Sequence, residues 1–187
     1  PVMSSRFEKT SSETIYEGPI FTVRRDKYRH EDGEEVSREI VSHPGAVGVV
    51  VLDGDRLWLV RQPREAVGSP DMLEIPAGKL DEDGEDPRAT AERELAEEIG
   101  KRAEHWEPLG AYHSSVGFTN EVIHLYLATG ISDVDERPAV EEDERIDVEV
   151  RPVSDLDAIL TETTDAKTLI ALLKLRDRLT GAVGARH

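Results

Sequence analysis

The chain has 187 residues, enough for one compact domain with a substantial core and short for two. Hydrophobic residues make up 37% and charged residues 34%, and 40 acidic against 23 basic side chains leave a net charge of −17. That balance argues against a surface that coats nucleic acid, since such binding rests on basic residues releasing phosphate counterions. The absence of cysteine excludes disulfides, thiolate zinc sites and cysteine nucleophiles together. No stretch approaches the roughly 18 apolar residues of a membrane span, and no apolar leader opens the sequence. A cytoplasmic protein without a membrane or nucleic-acid partner is expected.

In chain order, residues 19–29 and 35–43 read as two strands joined around Glu31-Asp32-Gly33-Glu34, an Asp-Gly hairpin signal. Residues 46–52 (AVGVVVL) form an unbroken apolar run, the pattern of a strand buried on both faces. Asp53-Gly54-Asp55 then turns the chain into a strand over 56–62, and shorter extended segments follow at 72–76, 107–113, 121–128 and 146–152. A helix is predicted from Asp86 to Ile99, with Asp86 as N-cap, Pro87 at the first helical position and Gly100 as the C-terminal cap. A second helix starts at Asp165 and is expected to stop at Gly181, and residues 154–162 add a short helical turn. The elements predict a mixed α/β arrangement with a strand-rich front.

The first helix carries the chemistry. Glu94 and Glu98 are four residues apart and share one face, with Glu97 beside them, while Ala91, Leu95 and Ile99 mark the apolar stripe. Taken alone, such a charge run is normally a solvated face. Its context differs, because Glu74-Ile-Pro-Ala-Gly-Lys-Leu80 places a bend just before the helix, where backbone carbonyls can join carboxylates around a hard cation. Magnesium prefers oxygen ligands and commonly bridges one or two carboxylates to substrate phosphates. His43, His113 and His124 show no metal-binding spacing and are expected to be structural. Lys79 follows a glycine, but Leu73 stands where a P-loop needs one.

Arg93-Glu94-Leu95-Ala96-Glu97-Glu98-Ile99-Gly100, with Gly78 and Glu85 ahead of it, resembles the Nudix box, Gly-x5-Glu-x7-Arg-Glu-(apolar)-x-Glu-Glu-x-Gly-(apolar). Two positions depart from it: six residues rather than five separate Gly78 from Glu85, and Lys101 takes the last apolar place. The resemblance implies an α/β/α Nudix fold with a mixed sheet, spanning 44–187, after an N-terminal antiparallel hairpin region, 1–43. It further implies metal ligation by Glu94, Glu98 and the Ala77 carbonyl. Glu97 would be another ligand or an acid acting just behind them, and Arg93 and Glu85 a structural pair. Magnesium is the implied cofactor, with manganese as a substitute.

Outside the box, residues 15–160 resemble the ADP-ribose pyrophosphatase branch of that family. The matching pieces are Ser37-Arg38-Glu39-Ile40, Val60-Arg61-Gln62-Pro63-Arg64, Glu74-Ile75-Pro76-Ala77-Gly78 and Ser115-Val116-Gly117-Phe118-Thr119-Asn120-Glu121. By that likeness Arg38 and Glu39 lie near the adenine, and Arg64 clamps phosphate. Ser115, Val116, Gly117 and Glu121 border the terminal ribose, and Lys79 joins the substrate-binding set. Val116 stands where the branch usually has proline, and Pro63 where it often has tyrosine, so other nucleotide sugars stay open. The acidic run 141–145 aligns with the branch's base-bearing loop. Glu142 is thereby the general base and Glu144 a metal ligand or substitute base.

The implied reaction is hydrolysis of ADP-ribose to AMP and ribose 5-phosphate by a homodimer that exchanges N-terminal strands. Two alternatives keep the fold. One is cleavage of another nucleoside diphosphate sugar or a dinucleoside polyphosphate, and the other a module that binds ADP-ribose without cutting it.

Overall fold

The apolar run at 46–52 is a strand with an apolar layer on each side. In the computed structural model, which describes residues 6–80, 86–138 and 145–184, it is strand β4 (Ala46–Asp53). It follows β1 (Phe7–Glu17), β2 (Thr22–His30) and β3 (Glu35–Ser42), and precedes β5 (Arg56–Arg64), β6 (Ser69–Glu74) and β7 (Ala77–Lys79). Helix α1 (Pro87–Ile99), β8 (Lys101–His113), β9 (Val122–Asp133), β10 (Asp147–Pro152), α2 (Leu156–Glu162) and α3 (Ala166–Gly184) complete the chain. None of these helices is long and apolar enough to cross a membrane, among the described residues.

The chain forms two compact units, one of Pro1–Gly45 with His113–Val122 and one of Ala46–Tyr112 with Ile123–His187. In the second, the sheet runs β10-β5-β4-β9-β8, with β6 added to β5 and β7 to β4. It is mixed, because β4 pairs β9 in parallel and β5 and β7 antiparallel. The period-two alternation of strands sorts its side chains. Val47, Val49 and Val51 of β4 pack with Val60, Ala128 and the α1 stripe of Ala91, Leu95 and Ile99. Val50, Leu57, Leu59, Leu125 and Leu127 point the other way, onto Leu156 and Ile159 of α2 and Ala171, Leu172 and Leu175 of α3. This is the expected helix–sheet–helix layering. Each fully buried Leu or Val contributes roughly 1.5–3 kcal/mol by leaving water.

The ends of α1 form as its sequence dictates. The Asp86 carboxylate accepts from Arg88 N, Pro87 opens the helix, and Gly100 closes it at φ 66°, donating to the Ala96 and Leu95 carbonyls. Gly181 behaves differently from expectation, since α3 continues through it to Gly184. Glycine stops a helix by adopting positive φ, and Gly181 does not. It only lowers helix propensity, by about 1 kcal/mol.

In the first unit, the expected hairpin is β2 and β3, but it forms the second and third strands of a three-stranded antiparallel sheet. The first strand, β1, has all eleven residues exposed and therefore no buried-face alternation to announce it. Its register is fixed by polar contacts. Ser12 Oγ donates to buried Asp26 (2.6 Å), Tyr28 Oη donates to the same carboxylate (3.2 Å), and Lys9 lies 3.5 Å away. Burial pushes the Asp26 carboxyl up, but these hydrogen bonds and nearby cations outweigh it and hold the group below its ordinary range.

Within the second unit, another polar lock joins α3 to the sheet. Thr168, fully buried, accepts from Ile75 N (3.0 Å) and donates to Asp165 (2.6 Å), which caps α3 by accepting from Thr168 N. Thr163 Oγ1 donates to the Leu73 carbonyl at 2.7 Å. Thr168→Val keeps the shape but leaves the Ile75 N–H buried without an acceptor. It is expected to lower stability by about 2 kcal/mol in denaturant unfolding. A variant as stable as wild type would show that packing alone seats α3.

Candidate active site

Helix α1 presents its carboxylates to the bend between β6 and β7. Glu98 is buried at 3% exposure, and its Oε2 accepts from Ala77 N at 3.0 Å. Glu94, one turn earlier, lies over Gly78 so closely that a Cβ there would overlap its Cγ, Cδ and Oε1. Glycine is required at this position by close approach, not by dihedral angle, because its φ is not positive. Glu94, Glu98 and the Ala77–Gly78 peptide are thus brought together.

Glu97 is part of the same face, but Arg93 is set among the acids. Its Nη1 lies 2.9 Å from Glu94 Oε1 and donates to Glu97 Oε2 at 3.0 Å. The face is less self-repelling than three bare carboxylates. The last turn of α1 is further held by Arg137, whose Nε and Nη2 donate to the carbonyls of Glu97 and Glu98 at 2.9 and 2.5 Å. A cation on the final carbonyls suits the negative end of the helix dipole. Arg137 escaped sequence reasoning, since nothing local in the sequence links it to a helix 39 residues earlier. Glu85, Glu142 and Glu144 lie outside the described residues.

The bend itself has little freedom. Ile75 N is held by Thr168 and Ala77 N by Glu98, while the Pro76 carbonyl accepts from Val49 N at 2.8 Å. Proline contributes no donor of its own. Lys79, at the end of β7, is exposed.

Arg64, at the end of β5, makes a bidentate pair with Glu74. Nε donates to Oε1 at 2.6 Å and Nη2 to Oε2 at 2.8 Å. Glu74 is 1% exposed, whereas the Arg64 side chain is 42% exposed. Lys167 of α3 donates to the same carboxylate and lies 3.1 Å from Asp165. Burial pushes the Glu74 carboxyl up, but the Arg64 hydrogen bond and the Lys167 charge overcome it and hold the group below the ordinary 4.5. Arg64 is raised, first by its bond to Glu74 and in smaller part by the charges of Asp165 and Glu98. The clamp candidate therefore lies within the field of the metal-ligand candidate. The sequence offered one sign of Glu74's part, an acid in the middle of the otherwise apolar segment 72–76, and none of Lys167's.

The other substrate-binding candidates belong to the first unit. Arg38 and Glu39 are exposed on β3, where Arg38 Nη1 donates to the Ser37 carbonyl (2.9 Å) and Glu39 accepts from Arg25 (3.1 Å). The segment 115–121 is anchored to β3, with Val41 N donating to the Phe118 carbonyl and Asn120 N to the Val41 carbonyl. The Ser115 carbonyl accepts from Thr119 N at 3.2 Å, which turns the chain and leaves Val116 87% exposed, and the space beside the Gly117 Cα is open. Glu121 lies 3.4 Å from His43 Nδ1, which also accepts from Gly45 N.

Among the described residues, no three Asp, Glu, His or Cys side chains close into a cage for a metal ion. The donors that do converge are oxygens, two carboxylates beside a strand-edge peptide, and that is the partial set a magnesium ion takes when phosphate completes its shell. The packing of Glu94 against Gly78 fits such an ion. Gly78→Ala forces the flexible Glu94 side chain away while leaving an allowed backbone. The magnesium concentration for half-maximal activity is expected to rise about tenfold or more, with the circular dichroism spectrum unchanged. An unaltered magnesium titration would remove Glu94 from the metal site.

The NUDIX domain model matches residues 42–173, and the model for a nucleoside diphosphate sugar hydrolase N-terminal domain matches residues 7–41. An ADP-ribose pyrophosphatase of Bacillus subtilis is 37% identical over 95% of this chain and 98% of its own. A methanol dehydrogenase activator of Bacillus methanolicus is 39% identical over 92% and 95%. A crystal structure of an ADP compounds hydrolase superposes with a TM-score of 0.81 at 22% identity, covering 95% of this chain and 96% of that one, a likeness of fold. With the box on α1, the glycine beneath Glu94 and these matches together, the chain belongs to the Nudix hydrolase family and carries a nucleoside diphosphate sugar hydrolase N-terminal domain ahead of its Nudix domain.

Proposed function

We propose that the protein hydrolyses ADP-ribose to AMP and ribose 5-phosphate with magnesium, or manganese in its place. The observation that carries this reading is the convergence of Glu94, Glu98 and the Ala77–Gly78 peptide beside an arginine held by a buried carboxylate. The substrate comes from the relative named ADP-ribose pyrophosphatase, which matches nearly the whole chain. Magnesium, when bound by Glu94, Glu98 and the Ala77 carbonyl, supplies charge neutralisation for the diphosphate and a more acidic water.

The chain's own residues do the rest. Ala77 N fixes the Glu98 carboxylate, and Arg93 restrains Glu94 and Glu97. Arg64 spends two of its five N–H donors on Glu74 and directs the remainder at a phosphate oxygen. Glu142 takes a proton from the attacking water, or Glu144 takes that role. The new P–O bond forms as the bridging P–O bond breaks, and the bridging oxygen leaves on the other phosphate. Arg38 and Glu39 border the adenine, and Lys79, Ser115, Val116, Gly117 and Glu121 the rest of the substrate. We also propose that the activity is cytoplasmic.

Glu98→Gln is expected to slow ADP-ribose hydrolysis in excess magnesium by at least about a hundredfold. Digestion in oxygen-18 water followed by mass analysis identifies the products and the phosphorus attacked. Equal rates for wild type and variant would remove Glu98 as a ligand. A panel of nucleotide sugars and dinucleoside polyphosphates, with turnover elsewhere and none of ADP-ribose, would replace the substrate. Tight ADP-ribose binding without turnover would favour a sensor.

We also propose a homodimer formed through the N-terminal strands. Strand β1 exposes every residue, including Phe7, Ile15 and Tyr16 at 52, 46 and 53%. An open edge with apolar side chains invites a second copy. Light scattering is expected to give twice the 20.8 kDa chain mass, and a single-chain mass at micromolar concentration would end the proposal.

A further inference from the structure

Lys167 lies beyond residues 15–160, where the sequence likeness to the ADP-ribose branch was found, and no reading of the sequence gave it a role. Its side chain is 12% exposed, and its ammonium group is shared between Glu74 and Asp165. Glu74 is buried and already committed to Arg64 through both oxygens. Two cations therefore meet one buried carboxylate, and a second carboxylate, Asp165, stands behind them.

The charge balance explains the arrangement. Arg64 and Lys167 together offset Glu74 and Asp165. Without Lys167, Arg64 would face those two carboxylates and the neighbouring Glu98 alone. A guanidinium so placed is drawn inward and loses both its orientation and its net positive field toward an anionic ligand. With Lys167 present, the buried carboxylate acts as a rigid anchor. Two guanidinium donors are fixed on Glu74, leaving three on a side chain that stays 42% exposed.

The anchor is itself fixed at several points. Asp165 caps α3 through Thr168 N, and Thr168 accepts from Ile75 N, the residue after Glu74. The first turn of α3 thereby reaches the bend from behind.

We infer that Lys167 is a positioning residue for substrate binding: by neutralising the Glu74–Asp165 pair from α3, it keeps Arg64 oriented toward the diphosphate. This rests on the reading of Arg64 as a phosphate clamp and extends it to a helix outside the Nudix box. Lys167 makes no contact with the reacting atoms.

Lys167→Met and Lys167→Arg test it. Lys167→Met is expected to raise KM for ADP-ribose about tenfold, the worth of one charge-assisted hydrogen bond, with kcat within about threefold of wild type. Lys167→Arg restores KM, because a second guanidinium can also span two carboxylates. The Arg64 Nε–Hε signal in a nitrogen-15 spectrum reads the orientation without substrate. It should shift or broaden in Lys167→Met and keep its wild-type position in Lys167→Arg. An unmoved signal in Lys167→Met overturns the inference, and so does an unchanged KM. A common loss of kcat and melting temperature in both variants also overturns it, marking Lys167 as structural only. If wild type does not hydrolyse ADP-ribose, the substrate reading fails by itself, and the Arg64 signal alone decides the positioning role.

Discussion

The hydrogen bond from Ala77 N to Glu98 is the contact on which the site's geometry depends. It spans 3.0 Å between a strand-edge peptide and a carboxylate 21 residues later. Burying an unpaired carboxylate costs several kcal/mol, so Glu98 at 3% exposure requires such a donor. In meeting that need, the bond fixes the rotation of α1 about its axis, and one turn earlier Glu94 arrives over Gly78. The apolar stripe of Ala91, Leu95 and Ile99 sets the depth of the same helix against β4. Hydrophobic contact positions the helix as a body, and this polar contact, with the Arg137 bonds to its last carbonyls, holds its rotation.

Charge is the second constraint, since a protein of net charge −17 that handles an anionic diphosphate must place its cations sparingly. The arginines near the site are each committed to a carboxylate or carbonyl. Arg93 is set between Glu94 and Glu97, Arg137 on the end of α1 and Arg64 on Glu74. Of Arg64 and Arg93, Arg64 keeps the more exposed side chain, 42% against 35%, and its anchoring partner is buried. A planar group with two donors fixed and three left over has a defined direction, which a lysine there would lack.

The parts legible in the sequence were those governed by local rules. Asp86, Pro87 and Gly100 marked α1 to within a residue, and the continuous run at 46–52 gave the central strand. The four-residue spacing of Glu94 and Glu98 places them on one face of a helix. Three features escaped for physical reasons. Strand β1 buries nothing within its own chain, so it shows no period-two pattern. Strand β8 begins at Lys101, six residues before the expected segment, because its first half has little apolar content to signal it. Gly181 looked like a stop, but a glycine ends a helix only when the chain turns there. Arg137 and Lys167 are long-range partners, chosen by the sheet's layering and invisible to any window along the chain.

That layering has a consequence for how the site is built. The bend 74–78 receives side chains from opposite sides of the sheet. Glu98 arrives from α1, and Thr168 and Lys167 arrive from α3. Neither helix alone could hold it, since each satisfies a different N–H and the proline between them supplies none. The bend is therefore completed only when both layers have closed on β4. Ligand-grade geometry then follows from the folded core itself, with rigid elements on each side and no need for the bend to order itself around an ion. A bend made this way loses its geometry when either layer is loosened, even through Thr168, which reaches it from the α3 side.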